Sequence, residues 1–484
     1  MGPRRHMAQV ELLDDVQPPA PPTAPPRPRR WWVLVLVPVV VGLVGAQAVL
    51  SARDRAELAR VAELPGVLPS VGPDVVELWR VDDADLGLLT SGTDVAGSLV
   101  GVRTGPDGAQ SVAALDPRTG GARWTTRLTE PDPVLAVRGA RASTTACEPV
   151  PQAPAQVACL VTDVVLSIGG GGRLTYSRPP SRSRVVLVDA TDGRVLADHP
   201  APAALDLAVL PGLAVVASPA TDGHARVTAQ DLTTGEVRWE LTSPRPAVDP
   251  AGDVAGFGLF ALGDLVGVVE SGAQVTLLAS DGAVARERVR FDRLSRDEAA
   301  TRLELLSGYG TDRVVTTIVR PDRADVEIPG RLVHRAVDDG SLPDLELTEG
   351  SRMQARDAAT GALRWTADVH TSGPVLVLDG RVYCTSGEGP GGLVAFDGRT
   401  GATAWTATAG TYDQLARLMT DGQVLLVGLT PVDGTTAGSL AAFSLADGHP
   451  LWQDPLPDGL NAAWTQGRLL VAGSGGSTAV LGAP

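Results

Sequence analysis

The sequence predicts an all-β fold in which one four-stranded unit repeats around a ring, preceded by a single transmembrane helix. Three observations support this prediction. A segment with an Asp, a Thr-Gly pair and a Trp recurs, in forms such as DPRTGGARW at 116–124 and DGRTGATAW at 397–405. Gly (55) and Pro (38) are abundant, as expected of a chain with many turns. An uncharged apolar run occupies residues 31–50.

The apolar run WWVLVLVPVVVGLVGAQAVL predicts a transmembrane helix. At about 1.5 Å per residue it would span roughly 30 Å, the thickness of a bilayer core. Arginines precede it directly and the charges after it are mixed, so the positive-inside rule places the N-terminus in the cytoplasm. The sequence therefore predicts an uncleaved signal anchor, a single-pass cell-membrane location and an extracytoplasmic bulk. Because Ala46-Gln47-Ala48 resembles a cleavage site, a cleaved signal peptide stays open as the alternative.

The remaining segments follow from composition. Residues 1–30 carry a Pro-rich run that cannot form a core, which predicts a disordered cytoplasmic tail. We assign residues 51–70 to a juxtamembrane linker and residues 71–484 to the repeat domain.

The cleanest repeat copy, residues 372–405, indicates what one unit is. PVLVLD is a short apolar strand, Asp379-Gly380 is a hairpin turn, and RVYCTS is a second strand. LVAFD is a third strand, GRTG is a tight turn, and ATAW opens a fourth strand. Four antiparallel strands in about 40 residues are typical of a β-propeller blade.

Each residue of the recurring motif has a predicted structural role. The Asp accepts hydrogen bonds from N–H groups of the turn, and the Gly supplies a positive φ. The Trp is large enough to wedge between neighbouring blades. The blade-motif residues are Asp116, Gly120, Trp124, Asp231, Gly235, Trp239, Asp357, Gly361, Trp365, Asp397, Gly401, Trp405, Gly448 and Trp452, together with Trp79, which has no such turn before it.

The Trp position sets the number of blades. Its occurrences and their weaker equivalents are Trp79, Trp124, Ala197, Trp239, Ala285 or Arg286, Trp365, Trp405 and Trp452. Two intervals, 124–197 and 286–365, are long, and we interpret each as a single blade with an insertion. Pairing of the strand at Trp79 with the C-terminal strands closes the ring without open edges. The prediction is an eight-bladed propeller, with seven blades as the alternative if 240–285 is not a full blade.

These motifs resemble the pyrroloquinoline quinone (PQQ)-like β-propeller repeat. The resemblance rests on Asp379 to Tyr383 and Leu393 to Trp405 and on the turn-to-Trp segments above, and it covers roughly residues 71–484. Within that family the chain resembles the propeller lipoprotein of outer-membrane β-barrel assembly more than the quinoprotein dehydrogenases. The resemblance does not settle the function. Because a propeller offers rigid faces for binding, we predict a non-catalytic, membrane-anchored scaffold or binding platform with a protein, peptide or glycan partner at the cell envelope.

The alternative function is a PQQ- and Ca²⁺-dependent quinoprotein dehydrogenase. The family's alcohol dehydrogenases use adjacent cysteines, a stacking Trp and a Glu/Asn/Asp calcium cluster. This chain has no adjacent cysteines, and Asn461 is its only Asn. It also has neither an HExxH nor a GxSxG motif. We therefore predict no enzyme activity and no catalytic, cofactor-binding or metal-binding residue.

Charge and cysteine content add two predictions. A formal net charge of −15 argues against nucleic-acid binding, because an acidic chain repels phosphates. Cys147 and Cys159 bracket a turn-rich stretch and are predicted to form a disulfide, with two buried thiols as the alternative. Cys384 is predicted to be a buried free thiol.

Overall fold

Short apolar strands separated by Gly-containing turns form nine sheets of four or five strands in the described part of the chain. The structure, a computed structural model, describes residues 47, 55–56, 58–82, 85–136, 146–168, 174–178, 180–219, 224–246, 258–270, 273–296, 302–308, 314–350, 352–386, 392–409, 417–430, 438–474 and 476–484. The chain divides into two units, Met1–Glu57 and Leu58–Pro484. The described residues of the first unit, Gln47, Arg55 and Ala56, are helical and exposed. The second unit contains all nine sheets.

The sheets, numbered as blades, follow one another along the chain, each strand pairing with the next except where stated below. Blade 1 consists of β2 (Thr93–Val95), β3 (Ser98–Thr104), β4 (Gln110–Leu115) and β5 (Ala122–Arg127); blade 2 of β6 (Ala146–Pro149), β7 (Gln156–Thr162), β10 (Ser183–Asp189) and β11 (Val195–Pro200); and blade 3 of β12 (Asp206–Leu210), β13 (Leu213–Pro219), β14 (His224–Asp231) and β15 (Val237–Pro246). Blade 4 consists of β16 (Gly258–Leu262), β17 (Leu265–Glu270), β18 (Gln274–Ala279) and β19 (Val284–Arg290); blade 5 of β20 (Arg293–Arg296), β21 (Leu303–Ser307), β22 (Val315–Val319) and β23 (Val326–Pro329); and blade 6 of β24 (Arg331–Leu332), β26 (Leu345–Glu349), β27 (Gln354–Asp357) and β28 (Leu363–Thr366). Blade 7 consists of β25 (Arg335–Asp338), β29 (Thr371–Leu378), β30 (Arg381–Ser386), β31 (Gly392–Asp397) and β32 (Thr403–Thr408); blade 8 of β33 (Arg417–Thr420), β34 (Val424–Leu429), β35 (Ser439–Ser444) and β36 (Pro450–Pro455); and blade 9 of β37 (Ala462–Gln466), β38 (Leu469–Ser474), β39 (Ser477–Gly482) and β1 (Val76–Val81). Outside the blades lie the hairpin β8 (Val165–Ile168) and β9 (Leu174–Arg178) and the helix α1 (Leu86–Ser91).

The pattern of apolar residues differs between the middle and outer strands of a blade. Middle strands such as β34, VLLVGL, are almost continuously apolar and buried because neighbouring blades cover both of their faces. Outer strands such as β36, PLWQDP, alternate between exposed and half-buried positions, because their outer edge faces solvent. The first strands lie innermost and contact one another across blades, as β12 does with β6 and β16.

The hydrophobic core is a ring of separate clusters, one between each pair of neighbouring blades in the described structure. The cluster between blades 5 and 6 is the smallest of these, with Ile318, Ile328 and Leu332 as its buried members. Its counterpart between blades 7 and 8 has sixteen buried residues. The apolar contact around the ring is therefore thinnest at the junction of blades 5 and 6.

Both ends of the propeller sequence contribute to blade 9. The N-terminal strand β1 pairs antiparallel with β39, from Val76 opposite Gly482 to Val81 opposite Thr478. The segment before β1 packs against blade 8, where the Leu68 N–H donates to the Thr420 carbonyl at 2.9 Å. The predicted closure of the ring by its terminal strands is therefore confirmed.

The predicted number of blades is wrong, because the described chain forms nine sheets rather than eight or seven. The interval 286–365, interpreted as one blade with an insertion, contains blades 5 and 6. Blade 5 escaped recognition because its outer strand β23, VEIP, carries no Trp and no Asp–Thr–Gly turn precedes it. The weak copy at 240–285 belongs to the full blade 4, and the interval 124–197 holds one blade with an inserted hairpin, β8–β9.

Blade 6 departs from the others at its inner edge. Its first strand, β24, has two residues and pairs with the far end of β26, Arg331 opposite Glu349 and Leu332 opposite Thr348. The chain then leaves the blade and forms β25, which pairs in parallel with β29 of blade 7. As a result, the first half of β26 has no inner neighbouring strand.

The predicted transmembrane helix also requires correction. Within the residues that the structure describes, no helix has the length and apolar character needed to cross a membrane. The predicted helix at 31–50 and the single-pass cell-membrane location derived from it therefore find no support in the part of the chain that the structure describes. The prediction came from hydropathy alone, and of the predicted span the structure describes only Gln47. The tail predicted at 1–30 lies outside the described residues.

Candidate functional site

The motif Asp is the acceptor at the centre of each turn. In blade 6, Oδ1 of Asp357 accepts hydrogen bonds from the N–H groups of Ala359 (3.1 Å) and Thr360 (2.9 Å). The Thr360 hydroxyl donates to the same oxygen at 2.8 Å. Backbone N–H groups make equivalent contacts to Asp116, Asp231 and Asp397. These contacts tie the third strand to the turn that follows it.

An arginine next to the Trp, which the sequence analysis missed, completes three of these turns. Arg364 Nη2 donates to Asp357 Oδ2 at 2.5 Å, and the same pairing joins Arg123 to Asp116 and Arg238 to Asp231. The Arg364 and Thr360 donors hold the pKa of Asp357 well below its ordinary value. The Arg-Trp dipeptide that recurs in these three copies was the signal available in the sequence.

The motif Trp and Gly meet across blade boundaries. The Trp365 indole N–H of blade 6 donates to the Gly398 carbonyl of blade 7 at 2.9 Å. A Cβ at Gly401, in the same turn, would lie 2.6 Å from the Trp365 ring. The same pairing of Trp with the next blade's motif Gly joins Trp79 to Gly120, Trp239 to Gly282 and Trp405 to Gly448. The glycine therefore provides room for the indole of the preceding blade as well as a positive φ.

Two junctions replace the Trp by another residue. Between blades 2 and 3, the His199 ring lies against Gly235, and its Nε2 is 2.8 Å from the Thr233 carbonyl oxygen. Between blades 4 and 5, Arg286 Nε lies 3.6 Å from Asp325 Oδ1.

The remaining motif tryptophans differ in their contacts. Trp124 donates to the Ala190 carbonyl at 3.0 Å, whereas Trp452 packs partly buried against the core between blades 8 and 9. At Gly361 the nearest atom is the carbonyl oxygen of Glu327, with no indole beside it.

The predicted disulfide between Cys147 and Cys159 is present and joins neighbouring strands of blade 2. Cys147 lies on β6 directly opposite Cys159 on β7, so the bridge connects residues that already face each other. Cys384 is a buried free thiol, and burial raises its pKa. The contacts that the bridge and the blade motifs make are with neighbouring strands and turns of the fold.

A cavity of about 760 Å³, which we call the charged cavity, has the properties of a ligand site. Residues of blades 5 and 6 and of β25 line it, and Pro65 from the N-terminal segment contributes one wall. It lies beside the short strand β24, where blade 6 lacks most of its inner strand. The missing inner strand and the small core between blades 5 and 6 explain why space is left here.

Arginines and carboxylates line the charged cavity together. The lining carries five arginines against three carboxylates, namely Arg293, Arg302, Arg320, Arg331 and Arg335 with Glu304, Asp338 and Glu346. This surplus of guanidinium groups stands in a chain whose formal net charge is −15. The formal charge of the cavity lining is therefore opposite in sign to the net charge of the protein.

Glu346 is the centre of the charged cluster. Its side chain is 4% exposed and accepts from Arg302 Nη1 at 2.9 and 3.1 Å. Arg320 Nη2 lies 3.3 Å and Arg335 Nη2 3.5 Å from its oxygens. Three guanidinium groups from separate strands and turns thus share one buried carboxylate.

The neighbouring contacts hold these arginines in place. Arg302 also donates to Glu304 at 2.5 Å, and burial lowers its pKa, but the charges of Glu346 and Glu304 more than offset that effect and raise it. Arg335 pairs with Asp338 and donates to the Leu345 carbonyl, on the part of β26 that has no inner neighbour. The arginine side chain therefore satisfies an acceptor that an inner strand would otherwise occupy.

The sequence analysis did not predict this site. Its arginines stand in the segments 293–302 and 320–335, which showed no motif, and both segments lie in the interval 286–365 that was interpreted as a single blade with an insertion. Among the described residues, no group of three or more His, Cys, Asp and Glu side chains is placed to hold a metal ion.

Comparison with known families identifies the family to which the chain belongs. The sequence model described as outer membrane protein assembly factor BamB matches residues 109–306 and 323–481, which is most of the chain. The chain belongs to this BamB family of PQQ-like β-propellers. No curated protein sequence matches it.

Solved structures show similarity at low identity. BamB from Moraxella catarrhalis is 14% identical with a TM-score of 0.38, covering 84% of this chain and 100% of that one. The dihydro-heme d1 dehydrogenase NirN is 14% identical with a TM-score of 0.36, covering 80% of this chain and 78% of that one. Apo AztD from Citrobacter koseri is 9% identical with a TM-score of 0.34, covering 78% of this chain and 98% of that one. An assembly factor and an enzyme stand side by side among these structures.

Proposed function

We propose that this protein is a non-catalytic binding platform for a protein or peptide partner, and that the charged cavity is its binding site. The observation that carries the proposal is the cavity itself, with about 760 Å³ of space and a lining of paired charges. Volumes of about 300 to 1,000 Å³ are usual for ligand sites. The cavity is therefore large enough to receive a side chain or a short segment of a partner.

The lining is organised before any ligand arrives. Glu304 and Glu346 stand on β21 and β26, and each is held by a guanidinium group. Sites built on strands and fixed by surrounding contacts position their polar groups more accurately than sites on loops. Such a lining selects a partner by the placement of its charges, and little ordering is needed on binding.

A protein partner agrees with the family to which the chain belongs. Its description names a factor of outer membrane protein assembly, which is a role in handling other proteins. A propeller suits such a role because its blades form a rigid frame around the site. We therefore place the partner's contact at the charged cavity rather than along the outer strands.

Photo-crosslinking tests this proposal. Benzoylphenylalanine replaces Ser295, which is exposed and lines the cavity, or Thr403, which is exposed on the outer strand β32 and serves as the control. We expect a discrete crosslinked protein from position 295 in cells that produce this chain, and none from position 403. No crosslink, or the same products from both positions, would contradict a partner at the cavity. Substrate-dependent dye reduction by purified protein supplied with PQQ and Ca²⁺ would contradict the non-catalytic assignment.

A further inference from the structure

We infer that the charged cavity takes an extended peptide segment carrying at least two acidic side chains. The inference rests on the proposed function and gives it a ligand class. Five arginines line the cavity, and even when Glu349 is counted with the three lining carboxylates the arginines remain in excess. A positively charged cavity in a strongly acidic chain favours anionic groups that the rest of the surface repels.

Arg320 can donate further hydrogen bonds to an anionic group. Its side chain is 19% exposed and lines the cavity, and its contact in the described structure is a single hydrogen bond to Glu346 at 3.3 Å. A guanidinium group carries five N–H donors in a planar fork that matches a carboxylate. An incoming carboxylate can therefore bind Arg320 without displacing Glu346.

A second point of attachment is Arg331 on β24, opposite the end of β26. Arg331 lines the cavity, is 43% exposed and pairs with Glu349 at 3.3 Å. Glu349 and Glu346 are three residues apart on β26, so their side chains leave opposite faces of that strand, and Arg331 lines the cavity from β24. The cavity thus presents arginines at two places along its length.

Two separate arginines favour a peptide over a small anion. Side chains two or four residues apart share one face of an extended peptide and stand about 7 or 13 Å apart at roughly 3.3 Å per residue. Such a peptide offers Arg320 and Arg331 a carboxylate each, whereas a single phosphate or carboxylate offers one anionic group. Two linked contacts raise affinity because the second forms within the same complex.

Fluorescence anisotropy with labelled hexaglutamate and the full chain tests the inference. We expect hexaglutamate to bind, hexalysine not to bind, and the affinity to fall as NaCl is raised. The double variant Arg320→Gln/Arg331→Gln should weaken hexaglutamate binding at least tenfold. Arg323→Gln is the matched control, because Arg323 is 71% exposed in the same turn as Arg320 and does not line the cavity. It should bind as the unaltered protein does.

Three results would overturn the inference: no hexaglutamate binding, equal binding by the double variant, or full competition by free glutarate at matched carboxylate concentration, which would indicate a site for small anions. If the double variant fails to fold, Arg320→Lys replaces it. That variant keeps the charge and loses the fork, and at least threefold weaker binding is expected. Unchanged binding by Arg320→Lys would count against the inference.

The two proposals fail separately. A crosslink from Ser295 without hexaglutamate binding would overturn the acidic ligand and leave the partner site standing. Hexaglutamate binding without any crosslink would support the ligand class and overturn the protein partner.

Discussion

Replacing Gly401 by alanine tests why the blade motif carries a glycine. Gly401 has a φ of +73°, and a Cβ there would lie 2.6 Å from the Trp365 ring of the preceding blade. Gly380, in another turn of the same blade, has a φ of +70° and nothing within 4 Å of a built Cβ. The two positions share the backbone strain and differ in the contact, so Gly380→Ala is a matched control.

The expected losses of stability follow from these two terms. A left-handed conformation costs an L-residue about 1 to 2 kcal/mol, and both variants carry that cost. Forcing an extra carbon into a packed contact adds about 1 to 3 kcal/mol, and this applies at Gly401 alone. We therefore expect Gly401→Ala to lower the free energy of unfolding by about 2 to 5 kcal/mol and Gly380→Ala by about 1 to 2 kcal/mol.

Urea denaturation followed by circular dichroism measures both losses. Introducing Gly401→Ala into a Trp365→Leu background removes the ring that the new methyl group would meet. In that background the loss should fall to that of the strain alone, giving a coupling of about 2 kcal/mol between the two positions. Equal losses at Gly401 and Gly380, or the same Gly401 loss in both backgrounds, would refute the steric role.

Three further predictions concern the bridge, the turns and the cavity. Reducing the Cys147–Cys159 disulfide, whose cysteines are 12 residues apart, should lower stability by about 3 kcal/mol, and an unchanged melting temperature after complete thiol labelling would contradict this. Asp357 has a lowered pKa in the folded protein, because Arg364 and Thr360 donate to it. Its stabilising contribution is therefore present above the unfolded pKa of about 3.9 and is lost as pH falls through the folded value. Asp357→Asn should flatten the fall in melting temperature between about pH 4 and pH 2, and an unaltered pH profile would contradict the role of this carboxylate. Glu346→Gln should lower the free energy of unfolding by about 3 kcal/mol, because three guanidinium groups lose their shared carboxylate, whereas the more exposed Glu349→Gln should cost under about 1 kcal/mol; equal losses on urea denaturation would contradict the buried role.

Local turn chemistry made much of the fold predictable. A blade can be recognised from sequence where the Asp–Thr–Gly turn and the following Trp lie within nine residues, as in DAATGALRW at 357–365. The hydrogen bonds of that turn form within the segment, so no distant residue is needed to recognise it. Trp79, which has no Asp–Thr–Gly turn before it, likewise indicated a strand that needs a partner from elsewhere in the chain, and β39 is that partner. The energetic weight of the turn and wedge residues stays a prediction until the glycine variants are measured.

The number of blades could not be read in the same way, because blade 5 uses none of these signals. Its turn between β22 and β23 reads RPDRAD, and Pro329 ends its outer strand where other blades place a Trp nearby. What makes it a blade is the pairing of β20 through β23 and a small apolar contact to its neighbour. Such pairing depends on contacts between strands, and a local sequence rich in arginine and carboxylate residues does not predict it.

The same loss of the motif explains why the charged cavity lies where it does. A wedge of Trp on Gly fills the boundary between blades 6 and 7, but at Gly361, on the boundary of blades 5 and 6, the nearest atom belongs to the Glu327 backbone. With no indole there and two residues in β24, that boundary lacks both the Trp found at most of the other boundaries and a full inner strand. Ion pairs around Glu346 hold it instead, and ion pairs can exchange partners with a ligand, whereas a packed indole cannot. The stretch in which the repeat is least regular is thus the stretch that is chemically equipped to bind, in line with the expectation that local rules are broken at functional sites.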